Sequence, residues 1–304
     1  MELEPEEEPR VPVLLIRTPA VDGPIKQSGG WDLLLPRSWS MVFWTSFVRS
    51  GAKVAGMMEW QSVFFERGTL CYPQSFPDSQ AGRQFALDER KLAMEIHEKK
   101  PPGKRPNYIF SVIHDPFICQ WENLVSHWQK LSGLPSCERV YVLRCRKLLR
   151  RLQAYIDPNN VHTSSSIQCD LHTSYECIAA EHPEALVAVS VRSVGKGSLS
   201  AMTSIHLPPG EAISSITAPR RMICAEKCGD DNANDGARPL IGYLHTAAFS
   251  LSVGSCAGQG FVSLTALAAL MARTQCERNI VCVRTPASQC YRFAKFTVLT
   301  DLLN

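Results

Sequence analysis

The sequence predicts an α+β protein with mixed, mostly antiparallel sheets and separate helices. Residues 186–194 (LVAVSVRSV) alternate with the two-residue period of a strand, as do shorter runs elsewhere. Helical periodicity is confined to isolated stretches such as residues 83–99 and 264–273. Helices and strands do not alternate regularly, which argues against a doubly wound parallel sheet. A chain of 304 residues that is 45% hydrophobic can bury a sizeable core, and its length predicts two domains.

The organising segment is residues 29–58, which predicts a strand, a helix and a second strand. Residues 31–35 form a short apolar run, and a helix begins near Ser38, whose hydroxyl is expected to cap it. Gly51 is placed to end this helix, and residues 52–58 predict the second strand. Because the helix is apolar on nearly every side, we expect the aromatic side chains of the segment to be buried. This set comprises Trp31, Phe43, Trp44 and Phe47.

Composition also suggests where the domains begin and end. Residues 1–28 are acidic and then proline-rich, which predicts a flexible leader without the positive charge of a signal peptide. We expect a first domain over residues 29–132 and a second, α+β domain over residues 137–304. Small polar residues predict flexible loops near residues 158–170 and 228–238.

The second domain is expected to be rich in strands. Residues 201–207 are the predicted hairpin partner of the strand at 186–194. Residues 239–246 and 249–253 predict two further strands, followed by a glycine-rich turn that precedes the helix at 264–273. The last strands are predicted at 279–284 and 291–299.

Tests for a metal or nucleotide site find weak candidates only. The glycines at 195–197 and 254–260 lack the spacing of a phosphate-binding loop. The spacing of small zinc sites is approached by Cys169, His172 and Cys177, with His162 or His182 as a fourth ligand. Cys177 is expected to face the core and the others to lie in a linker, so we predict no metal. We interpret the twelve cysteines as reduced and mostly buried.

Catalytic groups are equally scarce. The chain has no Gly-x-Ser-x-Gly motif and no visible cluster of carboxylates that could hold the metal ions of a nuclease. His114 and Asp115 are adjacent, so on an extended segment they would point to opposite faces, and a turn explains them better than a base with its partner.

Two basic elements remain as candidate binding surfaces. The first is a proline-stiffened loop over residues 99–108, whose Tyr108 could stack on an unpaired base. The second is the stretch 139–151, which contains six basic residues and no acidic residue. Charge alone leaves open whether these surfaces bind RNA or only solubilise the chain. The candidate RNA-binding residues are Lys99, Lys100, Lys104, Arg105, Tyr108, Arg144, Arg146, Lys147, Arg150 and Arg151.

Several motifs resemble one known family in the same order. GWDLLLPRSWSMVFW, from Gly30, resembles the signature of the POPLD domain, found in the Pop-one family of ribonuclease P and RNase MRP subunits. Residues 64–82 (FFERGTLCYPQSFPDSQAG) and 101–108 (PPGKRPNY) resemble further blocks of that family. GFVSLTALAALM and RTPASQCYRFAKF resemble its carboxyl end. The basic amino-terminal half of the family is missing, so we expect a carboxyl-terminal piece or a truncated product.

The resemblance implies a non-catalytic, RNA-binding structural subunit of a ribonucleoprotein whose RNA is the catalyst. The implied processes are removal of the 5′ leader from precursor tRNA and processing of rRNA. The implied partners are ribonuclease P RNA, RNase MRP RNA, the other protein subunits and, through the complex, precursor tRNA. No cofactor and no membrane are implied, and the location would be nuclear and nucleolar.

Two alternatives stay open. The carboxyl region resembles the aminomethyltransferase-like fold of the glycine cleavage system, which would make the protein a folate-binding enzyme or its relic. The chain could also be a protein-interaction module without RNA contacts.

Overall fold

The computed structural model describes residues 10–18, 29–106, 108, 115–135, 139–157, 175–194, 197–208, 223–224, 238–250, 254–273, 278–288 and 290–302. The chain divides into two compact units, one reaching to Arg67 and one spanning Gly68–Leu303, which we describe separately. The loops predicted near 158–170 and 228–238 lie outside the described residues, apart from residue 238. The domain limits drawn from the sequence stay a prediction.

The first unit pairs two strands and adds two helices. Strand β1 (Leu14–Thr18) runs antiparallel to β2 (Gly30–Leu34). Helix α1 (Ser40–Arg49) follows a short 3₁₀ turn, and α2 (Met57–Arg67) completes the unit. Strand β1 corrects the expectation of a leader without structure, because its apolar residues pair with β2 along their whole length.

Two local predictions in this unit are wrong. The side chain of Ser38 does not cap α1, whose first turn continues from the 3₁₀ turn without a capping side chain. Residues 52–56 do not form the predicted strand, and residues 57 and 58 belong to α2. The carboxylate of Glu59 accepts a hydrogen bond from the N–H of Gly56 (3.0 Å) and so caps the start of α2. Gly51 does end α1, with a φ of +91°.

The aromatic residues expected in a core are not buried. Trp31 is 62% exposed, Trp44 and Phe47 are each 49% exposed, and Phe43 is half-buried. Indeed, none of the described residues of the first unit is buried. A two-stranded sheet and two helices are too few elements to enclose a core. An apolar helix pattern therefore predicted the element but not what covers it.

The second unit contains a closed, six-stranded antiparallel barrel. The strands follow one another in the order β4, β8, β7, β5, β9 and β10, and β10 pairs again with β4. Strand β3 joins parallel to β4, and β6 joins antiparallel to β10. The strands are β3 (Tyr141–Val142), β4 (Ala185–Ser193), β5 (Ser204–His206), β6 (Ile223–Cys224), β7 (Leu240–Ser250), β8 (Ser255–Ser263), β9 (Ile280–Arg284) and β10 (Cys290–Val298). The predicted α+β class with mostly antiparallel sheets is confirmed.

Two predictions about strand pairing are wrong. The segment 201–207 does not pair with the strand at 186–194, because β5 pairs with β7 and β9 instead. The glycine-rich turn is in fact strand β8, and residues 240–250 form one strand rather than two. Gly260 permits close contact with β7, since a Cβ there would lie 2.0 Å from the carbonyl oxygen of Tyr243.

Five helices in the described part of the second unit pack with the barrel or extend from it. They are α3 (Gln80–Lys99), α4 (Trp121–Leu131), α5 (Arg146–Ile156), α6 (Tyr175–Glu181) and α7 (Leu264–Arg273). Trp121 of α4 meets Tyr243 and Phe261 edge-to-face, and the indole N–H of Trp128 donates to the carbonyl of Leu240 (2.7 Å). None of the helices in the described residues is long and apolar enough to cross a membrane.

The loop before α3, in the motif at residues 64–82, contacts the barrel. Ser75 is buried, and its hydroxyl lies 2.9 Å from Nε2 of His245 on β7. Ser79 caps α3 by accepting a hydrogen bond from the N–H of Gly82 (2.9 Å). A Cβ on Gly82 would lie 2.0 Å from the carbonyl oxygen of Phe76, so the tight turn requires glycine.

Candidate nucleic-acid interface

Helix α5 presents one apolar face to the barrel. Leu149, Leu152 and Ile156 are buried, and the side-chain oxygen of Gln153 accepts a hydrogen bond from the N–H of Val298 (2.6 Å). The helix is thus fixed against β10 by packing and by one backbone contact. Its orientation follows from the three- and four-residue spacing of its apolar side chains.

The opposite face of α5 is basic. At 100° per residue, Lys147, Arg150 and Arg151 lie on the side away from Leu149 and Leu152. Among the described residues, none of these three cations has an ion-pair partner. The first turn contains no acid and has no capping side chain, so positive side chains lie at the positive end of the helix dipole. This arrangement disfavours the isolated helix and attracts anions.

Both predicted contact residues at the start of the second basic element, Arg144 and Arg146, form ion pairs. Arg144 forms a bidentate pair with Asp78 at 2.7 and 2.8 Å, and its guanidinium lies over the ring of Phe76. Arg146 pairs with Asp301. Asp78 also accepts a hydrogen bond from the N–H of Val142 (3.1 Å), so it joins the loop before α3 to β3. The role of this acid was not anticipated from the sequence.

The proline-stiffened loop carries two unpaired lysines. Lys100 and Lys104 are exposed and have no ion-pair partner among the described residues. Lys99 lies 3.5 Å from Glu95, and Arg105 donates to the carbonyls of Lys100 (2.8 Å) and Glu98 (2.5 Å). Arg105 therefore holds the loop against the last turn of α3, whose carbonyls need donors.

Tyr108 packs in an aromatic cluster. Its ring centroid lies 5.4 Å from that of His97 and 5.6 Å from that of Phe117. Burial raises the pKa of its phenol. Tyr108 is half-buried in this cluster, so only part of its ring is accessible to a base.

The structure also places several residues tested for chemistry. Cys177 is exposed on α6, which corrects the expectation that it faces the core, and Nδ1 of His182 lies 2.8 Å from the Tyr141 hydroxyl. Among the described residues, no group of three or more His, Cys, Asp or Glu side chains could hold a metal ion. Asp115 pairs with Arg90 (2.8 Å) and accepts from the N–H of Phe117 (2.9 Å), in the turn that was predicted. His114, His162, Cys169 and His172 lie outside the described residues.

The cysteines are less buried than expected. Seven are described with their side chains, and all seven are free thiols. Cys71, Cys119 and Cys282 are buried, whereas Cys145 and Cys177 are exposed. Burial raises the pKa of Cys71 and Cys119, which makes both thiols inert at neutral pH.

A second cluster of cations was not anticipated from the sequence. Strands β5, β9 and β10 carry Ser204, His206, Cys282, Arg284 and Tyr291 on the face opposite to their core residues. Arg238, just before β7, joins this cluster. The guanidinium carbons of Arg238 and Arg284 lie 5.1 and 5.3 Å from the ring centroid of Tyr291.

His206 at the centre of this cluster is neutral. Its Nδ1 lies 2.8 Å from the carbonyl of Arg238 and its Nε2 lies 2.8 Å from the hydroxyl of Ser204. Burial, with the nearby charges of Arg284 and Arg238, lowers the pKa of His206 to about 3, against an opposing contribution from the Arg238 carbonyl. An imidazole with its proton on Nδ1 donates to that carbonyl and accepts from Ser204. Ser204 is fully buried, so this Ser–His pair offers no accessible nucleophile.

Arg284 is the unusual member. It is only 5% exposed, and its Nε is buried without a hydrogen-bond partner among the described residues. Desolvating a charge costs several kcal/mol, whereas a desolvated cation–π contact stabilises by about 2 kcal/mol. The Tyr291 ring therefore does not compensate the burial of this guanidinium.

Comparison with known proteins identifies two domains. A POPLD (NUC188) domain model matches residues 30–121, and a POP1 C-terminal domain model matches residues 224–300. Together these matches cover more than half of the chain.

Three curated relatives share the same printed designation, ribonucleases P/MRP protein subunit. POP1 of Homo sapiens is 24% identical over an alignment 431 residues long, which includes 96% of this chain and 42% of the human protein. POP1 of Arabidopsis thaliana is 40% identical over 77 residues, covering 25% of this chain and 9% of the relative. The subunit popl-1 of Caenorhabditis elegans is 30% identical over 147 residues, covering 48% and 19% respectively. The chain thus spans less than half the length of these relatives. The POPLD domain, the POP1 C-terminal domain and these relatives show that the chain belongs to the POP1 family.

Proposed function

We propose that this chain is an RNA-binding structural subunit of ribonuclease P and RNase MRP. In this role it acts in 5′ leader removal from precursor tRNA and in rRNA processing, as a non-catalytic component of an RNA enzyme. Its partners are the two RNAs, the other protein subunits and, through the complex, precursor tRNA. Its location is nuclear and nucleolar. Membership of the POP1 family supports the proposal, since the relatives are named as subunits of these complexes.

The basic face of α5 is the observation that carries RNA binding. Lys147, Arg150 and Arg151 extend from a helix fixed by its buried side, so their positions are set before any ligand arrives. Closely spaced phosphates attract such a cluster, and each contact releases counterions from the RNA. Lys100 and Lys104 supply a second group of unpaired cations. The proposed interface also includes five residues that mainly hold the two basic elements in place. They are Lys99, Arg105, Tyr108, Arg144 and Arg146.

The test compares two charge-matched variants in RNA binding. One replaces Lys100, Lys104, Lys147, Arg150 and Arg151 with Gln, which retains helix propensity. The control replaces five other exposed cations with Gln: Arg37, Arg49, Lys53, Lys130 and Arg192. We expect the first variant to weaken binding to ribonuclease P RNA and to flatten its salt dependence. The slope of log affinity against log salt should fall by about 0.7–0.9 for each lost phosphate contact. Equal affinities and slopes for the two variants would refute the interface.

The exposed apolar side chains of the first unit support protein partners. Trp31, Met41 and Trp44 are at least 49% exposed, and the unit buries none of its described residues. Apolar patches of this kind mark contacts with proteins rather than with the phosphate backbone. This observation fits a subunit that is covered by other subunits in an assembly.

We further propose that the barrel is an aminomethyltransferase-like fold that serves as a scaffold. The closed antiparallel ring supports the fold assignment. The alternative, a folate-binding enzyme, is tested by calorimetry with tetrahydrofolate. Tight binding of one molecule per chain would replace the scaffold proposal with the enzyme or its relic.

A further inference from the structure

We propose that Arg284 and Arg238 form a binding site for a phosphate group on the barrel. This site is separate from α5 and from the proline-stiffened loop. It contains a buried arginine whose Nε has no hydrogen-bond partner among the described residues, a second guanidinium against the same aromatic ring, and a neutral histidine beside them.

The two guanidinium groups share one neighbourhood. Both guanidinium carbons lie within 5.3 Å of the Tyr291 ring centroid, and Nη1 of Arg238 lies 3.6 Å from the sulfur of Cys282. Tyr291 is only 2% exposed, so its ring orients the arginines and does not stack on a base. His206 meets the same ring edge-to-face with centroids 5.0 Å apart.

The cluster has positive charge without a matching acid. Within the described part of the chain, neither Arg238 nor Arg284 forms an ion pair. The desolvation cost of a buried charge favours the binding of a partner of opposite charge. An anion supplied from outside would meet this requirement.

The chemistry favours phosphate. A guanidinium presents paired N–H donors that match the oxygens of a phosphate or a carboxylate. Two guanidinium groups beside one ring can supply more N–H donors than the two oxygens of a carboxylate can accept. A phosphate group has additional oxygens for these donors. The phosphate could belong to an RNA backbone or to a free phosphate or nucleotide. The experiment therefore has one arm for each source.

The first arm measures thermal unfolding of the full chain with inorganic phosphate. Chloride is exchanged for phosphate at constant ionic strength, and wild type is compared with Arg284→Met and with Arg192→Met. Arg192 is an exposed arginine on β4 and serves as the matched control. We expect phosphate to raise the Tm of wild type and of the control by about 3–5 °C at ten times Kd. Arg284→Met should lose this shift.

The same variant separates a binding role from a structural one. If Arg284 has no partner in the ligand-free protein, replacing it with Met of similar length removes an uncompensated charge. The Tm of Arg284→Met in phosphate-free buffer should then equal or exceed that of wild type. A Tm several degrees below wild type would show that Arg284 has a structural partner and would overturn the site. A wild type that does not respond to phosphate would overturn it as well.

The second arm identifies the source of the phosphate. If the ligand is RNA, Arg284→Met should weaken binding of ribonuclease P RNA about ten-fold and lower the salt slope by roughly 0.7–0.9. If RNA affinity is unchanged while the phosphate response is lost, the site binds a free phosphate or nucleotide. Loss of RNA binding in the Lys/Arg→Gln variant of α5 and the proline-stiffened loop tests the proposed function separately, since that variant leaves Arg284 and Arg238 intact.

Discussion

Removing the carboxylate of Asp78 should destabilise the second unit by about 2–4 kcal/mol. Asp78 accepts from the N–H of Val142 and forms a bidentate pair with Arg144. Its side chain is only 10% exposed, whereas that of Arg144 is 40% exposed. The ion pair is therefore partly screened by water and should contribute about 1 kcal/mol. The buried N–H of Val142 would lose its acceptor in Asp78→Ala, which adds about 1–3 kcal/mol.

The assay is urea unfolding of wild type, Asp78→Ala, Asp78→Asn, Arg144→Ala and the double variant. Asp78→Asn keeps an oxygen for the N–H of Val142, so it should lose only the ion-pair contribution. The double-mutant cycle should give a coupling of about 1 kcal/mol between Asp78 and Arg144. If Asp78→Ala changes the free energy of unfolding by less than about 0.5 kcal/mol, the loop before α3 is not held by this contact and the reasoning fails.

Three further predictions test packing and burial. Gly82→Ala should lower stability although alanine is the better helix former by about 1 kcal/mol, because its Cβ would lie 2.0 Å from the carbonyl oxygen of Phe76. Gly103→Ala is the control, since a Cβ at that position meets open space. Similar melting temperatures for the two variants would contradict the tight turn. Trp121→Ala should lower the free energy of unfolding in urea by about 3–5 kcal/mol. Trp44→Ala should lower it much less, because Trp121 is buried whereas Trp44 is exposed. Equal losses of stability in the two variants would contradict this prediction. Burial lowers the pKa of His245 to about 4, so the fold favours its neutral form. The free energy of unfolding should therefore be constant above about pH 6.5 and fall toward pH 4 by up to about 1.4 kcal/mol per pH unit. Between pH 7.5 and 5.0 the urea midpoint should fall less for His245→Gln than for wild type, and a wild-type midpoint that does not change would contradict this prediction.

Local patterns predicted the elements well. Helix α7 begins and ends as predicted, and the helical pattern at residues 83–99 lies within α3. Both patterns depend on neighbours within one or two turns. The basic face of α5 obeys the same periodicity, because cations between apolar positions must lie on the other side of the helix.

Pairing and burial could not be read in this way. Strand β5 pairs with β7 and β9, whose residues are more than 30 positions away in the sequence. Gly258 and Gly260 were interpreted as a turn because glycine is common there, but here they allow β7 and β8 to approach closely. The Arg238–Arg284 cluster was missed for a similar reason. Its members come from separate strands and meet only when the barrel closes.

The two uses of arginine in the second unit suggest how stability and binding are linked. Arg144 has an acid within 2.7 Å and contributes to the fold, whereas the buried Arg284 pairs with no acid in the described part of the chain and opposes it. A ligand that binds only the folded chain adds stability in proportion to the logarithm of its concentration over Kd. An anion at Arg284 would therefore remove a cost that the isolated chain carries. The uncovered apolar side chains of the first unit have the same consequence for a protein partner, since their burial becomes favourable only on assembly. Both features predict a chain that is more stable within a complex than alone, with the first contribution dependent on salt and the second largely independent of it.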